Sequence, residues 1–415
     1  MTVAAPRLLA FAAIACLAGY IYAYASGYAG VPVRSDAFSY YVYLPSWALH
    51  HDPSLQAVAD DCCGGEFPDW TAIIRWPLTR QWVNAHPIGE AIMIAPFFAV
   101  AHALTRWTNL SPDGFTPYYQ HSAGLAGLCY VIAGLWFLKR LLERHFSSAV
   151  TSATLVALLA GTSLYHYATF DSTWSHAFTF ALFCAFLERF DARRPDRLAD
   201  AVVLGAISGL LILVRHTDAL IPICFFGADA LRTRSLPLIP AMVATIVVLP
   251  QLWLYHRATG HFFISSYGSL GFTFDSPHLA GVLVSPRKGL FFYAPLLLVA
   301  VPGLAALPGR LRAWRVPLAV LLVLNTYLIA SWWDWQFGAS YGHRGFVDFY
   351  PAFGLGLAVA FAYVSERRPL RLVVTCAVTL LCALSLFQML QYWHRVLPMS
   401  DVTWPQYRAV FLRWR

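Results

Sequence analysis

The chain has 415 residues, 59% of them hydrophobic and only 12% charged, with a mean hydropathy of +0.56. A water-soluble protein carries about twice that charged share, so a soluble globular domain is excluded. The formal net charge of +8 does not mark a nucleic-acid surface, because the arginines fall in short clusters between apolar runs, the positive-inside pattern of a membrane protein.

The first apolar run, 8–30, is too long for the core of a signal peptide and reads as the first span. Further segments of about membrane-crossing length follow near 120–138, 150–168, 173–188, 199–214, 218–231, 236–255, 289–307, 316–333, 350–364 and 371–392. Hydrocarbon offers the backbone no hydrogen bonds, so these segments must be helices. The expected fold class is all-α: a polytopic membrane bundle of about eleven spans, forming a single domain over 1–415. Arg7 and the clusters 139–146, 189–197, 231–234, 309–315 and 366–371 then alternate onto the cytoplasmic side. The non-apolar stretches 31–118, 256–288 and 334–349 fall on the other side. The first is a long extracytoplasmic loop bearing interfacial helices, and 87–104 reads as a helix or hairpin in the outer interface, since a twelfth span there breaks the alternation. Cys62 and Cys63 are adjacent in a polar stretch without zinc-ligand spacing, so no metal or redox role is assigned to them.

Charged groups at membrane depth are expensive, and those that persist mark function. Asp36, in VRSDAFSYYVYLPSW, follows the first span. With Tyr40, Tyr41 and other aromatic residues after it, the segment suits a surface helix kinked at Pro45. A carboxylate fixed there is suited to take a proton from a hydroxyl acceptor. Asp171 and His176, in ATFDSTWSHAFTF, either orient a ligand or serve as a helix cap and a core histidine. Arg215 lies three residues before Asp218 and either neutralises it or binds phosphate. Arg287 and Lys288, in SPRKGLFFYAPLLL, sit on the outer side against the charge rule and form a candidate phosphate clamp. The stretch WWDWQFGASYGHRGFVDFYP brings Trp335, His343 and Arg344 together with glycines that permit close backbone approach. One carboxylate, several cations and flat aromatic faces on one side fit group transfer from a phosphate-linked lipid carrier.

SDAFSYYVYLP, NAHPIGEAIMIAP, SPRKGLFFYAPLLL and WWDWQFGASYGHRGFVDFYP together resemble segments of the GT-C superfamily of polytopic glycosyltransferases. The likeness is to its bacterial branch, related to the protein O-mannosyltransferases and aminoarabinose transferases. It implies a polyprenyl-phosphate-sugar donor, inversion at the anomeric carbon and an extracytoplasmic acceptor: glycan, lipid or protein. By position Asp36 matches the family's catalytic acid, and Arg287, Lys288 and Arg344 match donor-phosphate contacts. Beside the resemblance, the residues themselves make Tyr40, Tyr41, Asp171, His176, Arg215, Trp335 and His343 candidates for further donor or acceptor contacts. Many members carry paired acids in the first loop, whereas here Ser35 precedes a lone Asp36, which leaves use of a divalent metal open. Arginine-rich, lysine-poor usage points to a bacterial inner membrane, with the site on its extracytoplasmic face. A transporter or flippase of lipid-linked glycans is the first alternative, though it calls for internal repeats that the sequence lacks. A glycan polymerase or ligase is the second, with no nucleic-acid partner in any reading.

Overall fold

A computed structural model describes residues 4–264 and 270–414. Part of the 256–288 stretch and both extremes of 1–415 lie outside the described residues.

Helix α1 spans Ala4–Ala25, and the long segment after it holds α2 (Asp36–Tyr41), α3 (Tyr43–Ala48), α4 (Gln56–Cys63), strands β1 (Ile73–Arg75) and β2 (Trp82–Asn84), and α5 (Gly89–Trp107). The strands form an antiparallel hairpin in which Ile74 faces Val83. Then come α6 (Pro117–Leu142), α7 (Ser148–Ala160), α8 (Leu164–Thr169), α9 (Ser175–Ala192), α10 (Leu198–Val214), α11 (Leu220–Thr233) and α12 (Leu238–Thr259). The last third contains α13 (Leu279–Val284), α14 (Leu290–Tyr293), α15 (Leu297–Ala305), α16 (Arg315–Ser331), α17 (Tyr350–Ser365), α18 (Arg368–Trp393) and α19 (Trp404–Val410).

This is a polytopic helical membrane bundle. Every segment read as a span coincides with helix. Among the described residues six helical stretches are long and apolar enough to cross a membrane, and α7 and α10 are shorter apolar helices. Two spans are broken: α7 stops at Gly161 before α8 resumes, and Pro295 separates α14 from α15. The breaks meet, since a methyl group on Gly161 would lie 2.7 Å from the Leu296 side chain. Freed backbone groups are tolerated at such a depth because protein rather than lipid surrounds them.

Helix α9 is central. From Ser175 to Glu188 every side chain is buried, as expected of a helix apolar on all faces. Close helix contacts rest on glycine: a methyl on Gly127 of α6 would come within 1.6 Å of the Ser172 carbonyl oxygen. On Gly303 of α15 and Gly356 of α17 it would come within 2.0 and 2.1 Å of the facing backbone. Small residues let membrane helices approach this closely.

The arginine clusters 139–146, 189–197, 231–234 and 309–315 converge at one end of the bundle. There the buried Glu188 receives Arg144, Arg140 at 3.2 Å and Arg189 at 3.3 Å, tying α6 to α9. The loops singled out for chemistry gather at the opposite end.

Three local expectations change. The surface helix after Asp36 is instead buried: Ala37–Tyr41 and Tyr43–Ser46 are covered. Its break falls at Val42 rather than at Pro45, because proline clashes with, and cannot bond to, the carbonyl four residues earlier. Residues 87–104 contribute a single helix, α5, running antiparallel along α6: Met93 meets Tyr130 near one end and His102 bonds Tyr119 near the other. Cys62 and Cys63, read as unremarkable, are joined by a disulfide at the end of α4.

Candidate functional site

Asp36 opens α2, in the segment that follows α1. Its Oδ2 accepts from Arg344 Nη1 at 2.8 Å, and its side chain stays 32% exposed. Arg344 is brought in by the 3-10 turn Arg344–Phe349 before α17. Its guanidinium lies over the Trp174 ring at 4.4 Å and near Phe337 at 5.4 Å. Burial pushes the Asp36 carboxyl up, but Arg344 foremost, then His86, His176 and Arg215, outweigh it and hold the group below the usual carboxylate range. Asp36 is therefore an accessible carboxylate ionised at neutral pH, gripped by a cation set between aromatic faces.

A second cluster lies behind it. Arg215 leaves the end of α10 and places Nε 3.1 Å from Asp348 and 3.9 Å from Asp218. The other Asp348 oxygen is 2.8 Å from His176 Nδ1. The partner expected for Arg215 from sequence, Asp218, is thus the more distant of the two. Arg215 also reaches Ser175 Oγ at 3.4 Å. Tyr40 is buried with its ring edge-on to His86 at 4.2 Å. Glu90, the first acid of α5, is fully buried with neither carboxylate oxygen bonded among the described residues.

A third cluster supports the residues just before Asp36. Arg34 bonds Asp171 at 2.5 Å and the carbonyls of Val31 at 2.7 Å and Phe170 at 3.2 Å. Asp171 bonds His166 at 2.8 Å, and His166 accepts from the Trp393 indole at 2.9 Å. Burial raises the Asp171 carboxyl, yet Arg34 and then His166 overcome it and hold the group low. Asp171 is therefore an anchored carboxylate rather than a helix cap.

Among the described residues the other candidates make no hydrogen bond or ion pair with this centre, although Lys288 lies near enough to Arg344 to feel its charge. Arg287 and Lys288 do not form one clamp. The Arg287 side chain is 44% exposed and 3.9 Å from Asp401, while Lys288 is buried and donates to the carbonyls of Ser340 and, at 2.8 Å, Met399. Burial pushes the Lys288 ammonium down to about 7. Tyr41, one position from Tyr40, turns away and donates to the Gly114 carbonyl at 2.6 Å. His343 bonds the Trp335 carbonyl at 2.8 Å, and Trp335 stacks on His278, so both shape the 334–349 loop from within.

Sequence reasoning passed over Arg34, His86, Glu90 and Trp174. Each lay inside or beside a motif already singled out, but nothing in the local spacing showed which side chains meet. The carboxylates needed for a divalent ion are taken by arginines: Asp36 by Arg344, Asp171 by Arg34 and Asp348 by Arg215. Among the described residues no group of three His, Cys, Asp or Glu side chains is placed to hold a metal.

No family model matches the chain, and no curated protein matches its sequence. In fold it is similar to the crystal structure of ArnT from Cupriavidus metallidurans in the apo state, with a TM-score of 0.52 and 15% identity. The match covers 92% of this chain and 64% of that one, so the chain spans just under two thirds of the neighbour's length. The likeness is one of fold and accords with a multi-pass helical membrane protein.

Proposed function

We propose that the protein is a membrane glycosyltransferase that moves a sugar from a polyprenyl-phosphate donor to a hydroxyl acceptor on the extracytoplasmic face. The observation that carries this reading is the partly exposed Asp36 paired at 2.8 Å with Arg344, with Arg215 behind, at the end of the bundle opposite the arginine clusters. The fold likeness and the motifs resembling the GT-C superfamily support it.

In this mechanism the donor phosphate binds Arg344 and draws it from Asp36. Losing its counter-cation raises the proton affinity of the carboxylate at the moment a base is required. Asp36 takes the acceptor proton, the acceptor oxygen bonds the anomeric carbon, and the bond to the phosphate oxygen breaks with inversion. The carrier phosphate leaves as an anion held by Arg344, with Lys288 and Arg215 adding positive charge. Tyr40 and Trp174 line the sugar.

The test compares the protein and Asp36→Asn in nanodiscs against a panel of polyprenyl-phosphate sugars, with water included as acceptor. Turnover is expected to fall roughly 10²–10⁴-fold in the variant while donor binding is retained. Full turnover in Asp36→Asn would remove it from the role of base. Failure of the wild type to bind any phosphate-linked donor in the panel would sink the transferase reading and favour a transporter or ligase.

A further inference from the structure

At the arginine-rich end, far from Asp36, a cleft of about 290 Å³ opens between the C-terminal end of α9, the last turns of α11 and the turn Gly309–Trp314 before α16. Its floor is aromatic: Phe190, Phe225 and Trp314 pack edge to face with centroids 5.2, 5.4 and 6.1 Å apart. Its rim is cationic. Arg193 lies on the Phe190 ring, 3.5 Å from the centroid, and bonds Asp229 at 2.9 Å. Arg232 bonds the same carboxylate at 2.8 Å. Arg310 has no hydrogen bond or ion pair among the described residues. Asp191 also lines the cleft but is engaged by Arg144 at 3.2 Å and His145 at 3.1 Å. Two guanidiniums therefore share the Asp229 carboxylate while Arg310 has no acidic partner among the described residues, and the rim has positive charge to spare.

The same elements present apolar side chains outward. Leu231 beside Arg232, and Val316 two residues after Trp314, are both exposed. Cations at the cleft with bare apolar side chains alongside match one kind of ligand: a phosphate at headgroup depth carrying acyl chains. A soluble anion has no use for that apolar border. We propose that this cleft binds the phosphate headgroup of an anionic phospholipid, with Arg310 and Arg232 as its ligands and the aromatic floor beneath its glycerol. The lipid would bridge the ends of three helices at the foot of the bundle. This site is independent of the chemistry assigned to Asp36.

The experiment is native mass spectrometry of the full chain in detergent, offered equimolar phosphatidylglycerol and phosphatidylcholine. Wild type is expected to retain the anionic lipid about tenfold over the zwitterionic one, a difference of about 1.4 kcal/mol. Arg310→Ala and Arg232→Ala bring that ratio towards one. Arg312→Ala, an exposed arginine of the same turn outside the cleft, leaves it unchanged. Arg310 is exposed and partnerless, so its loss leaves folding intact. Equal retention of both lipids by wild type, or an unchanged ratio in both cleft variants, overturns the proposal. So does displacement of the lipid by sn-glycerol 1-phosphate at the same concentration, which makes the ligand a soluble anion.

Discussion

Ser35 holds φ 51° and ψ −133°, a conformation that costs a non-glycine residue about 1–3 kcal/mol. It is trapped between two anchored neighbours: Arg34 on Asp171 and two carbonyls, and Asp36 on Arg344. If the Arg34 anchor aims Asp36 through this strained link, Asp171→Asn should lower turnover about tenfold or more while leaving donor affinity nearly unchanged. Ser35→Gly in the same chain should restore much of the loss, because glycine accepts the conformation without strain. Failure of that rescue would reduce Asp171 to a packing role. Lys288 offers a second test. Its ammonium is present below about pH 7 and is lost as pH rises through that value. Donor KM should therefore increase severalfold between pH 6 and 8, and a Lys288→Met variant should show a high, flat KM. Asp36 and Arg344 were legible in the sequence because charge is rare in an apolar chain. Their pairing was not, since 307 intervening residues carry no signal of contact. Nor could Tyr40 be told from Tyr41, because adjacent helix positions face different ways and only a partner decides which one points inward.

At the scale of elements, hydropathy and arginine spacing located the spans, since length and apolar content are one-dimensional properties. The breaks inside two of them were less visible. Pro295 announces one, but Gly161–Ser163 interrupts α7 and α8 with no proline, and only its burial against the second break explains why it is tolerated. The same holds for α2 and α3, whose aromatic pattern fits a surface helix equally well until α5 and the β1–β2 hairpin are seen to cover it. The α15–α17 crossing depends on two glycines. Gly303→Ala or Gly356→Ala forces the backbones apart and is expected to cost about 1–3 kcal/mol, read as a lower melting temperature in detergent. An unchanged melting temperature in both would mean that the crossing is looser than 2 Å approaches imply.

For the whole molecule, we propose from the positive-inside pattern of the arginine clusters that the foot is cytoplasmic and the Asp36 end extracytoplasmic. With Cys62 and Cys63 replaced, a membrane-impermeant maleimide applied to right-side-out vesicles should label a cysteine at Leu78, which is 82% exposed, and should not label one at Arg310. The reverse result would invert the topology and place the chemistry on the other face. The knot of three arginines on Glu188 has a mechanical consequence. It pins α6 and α9 together at the foot, whereas at the far end α2 and the turn before α17 are joined by the Asp36–Arg344 pair that an incoming phosphate would compete for. On this geometry any widening at the Asp36 end would work as leverage about the knot. Helix α9, with 18 residues, is about 27 Å long, so a tilt of about 5° at the knot displaces its far end by about 2 Å.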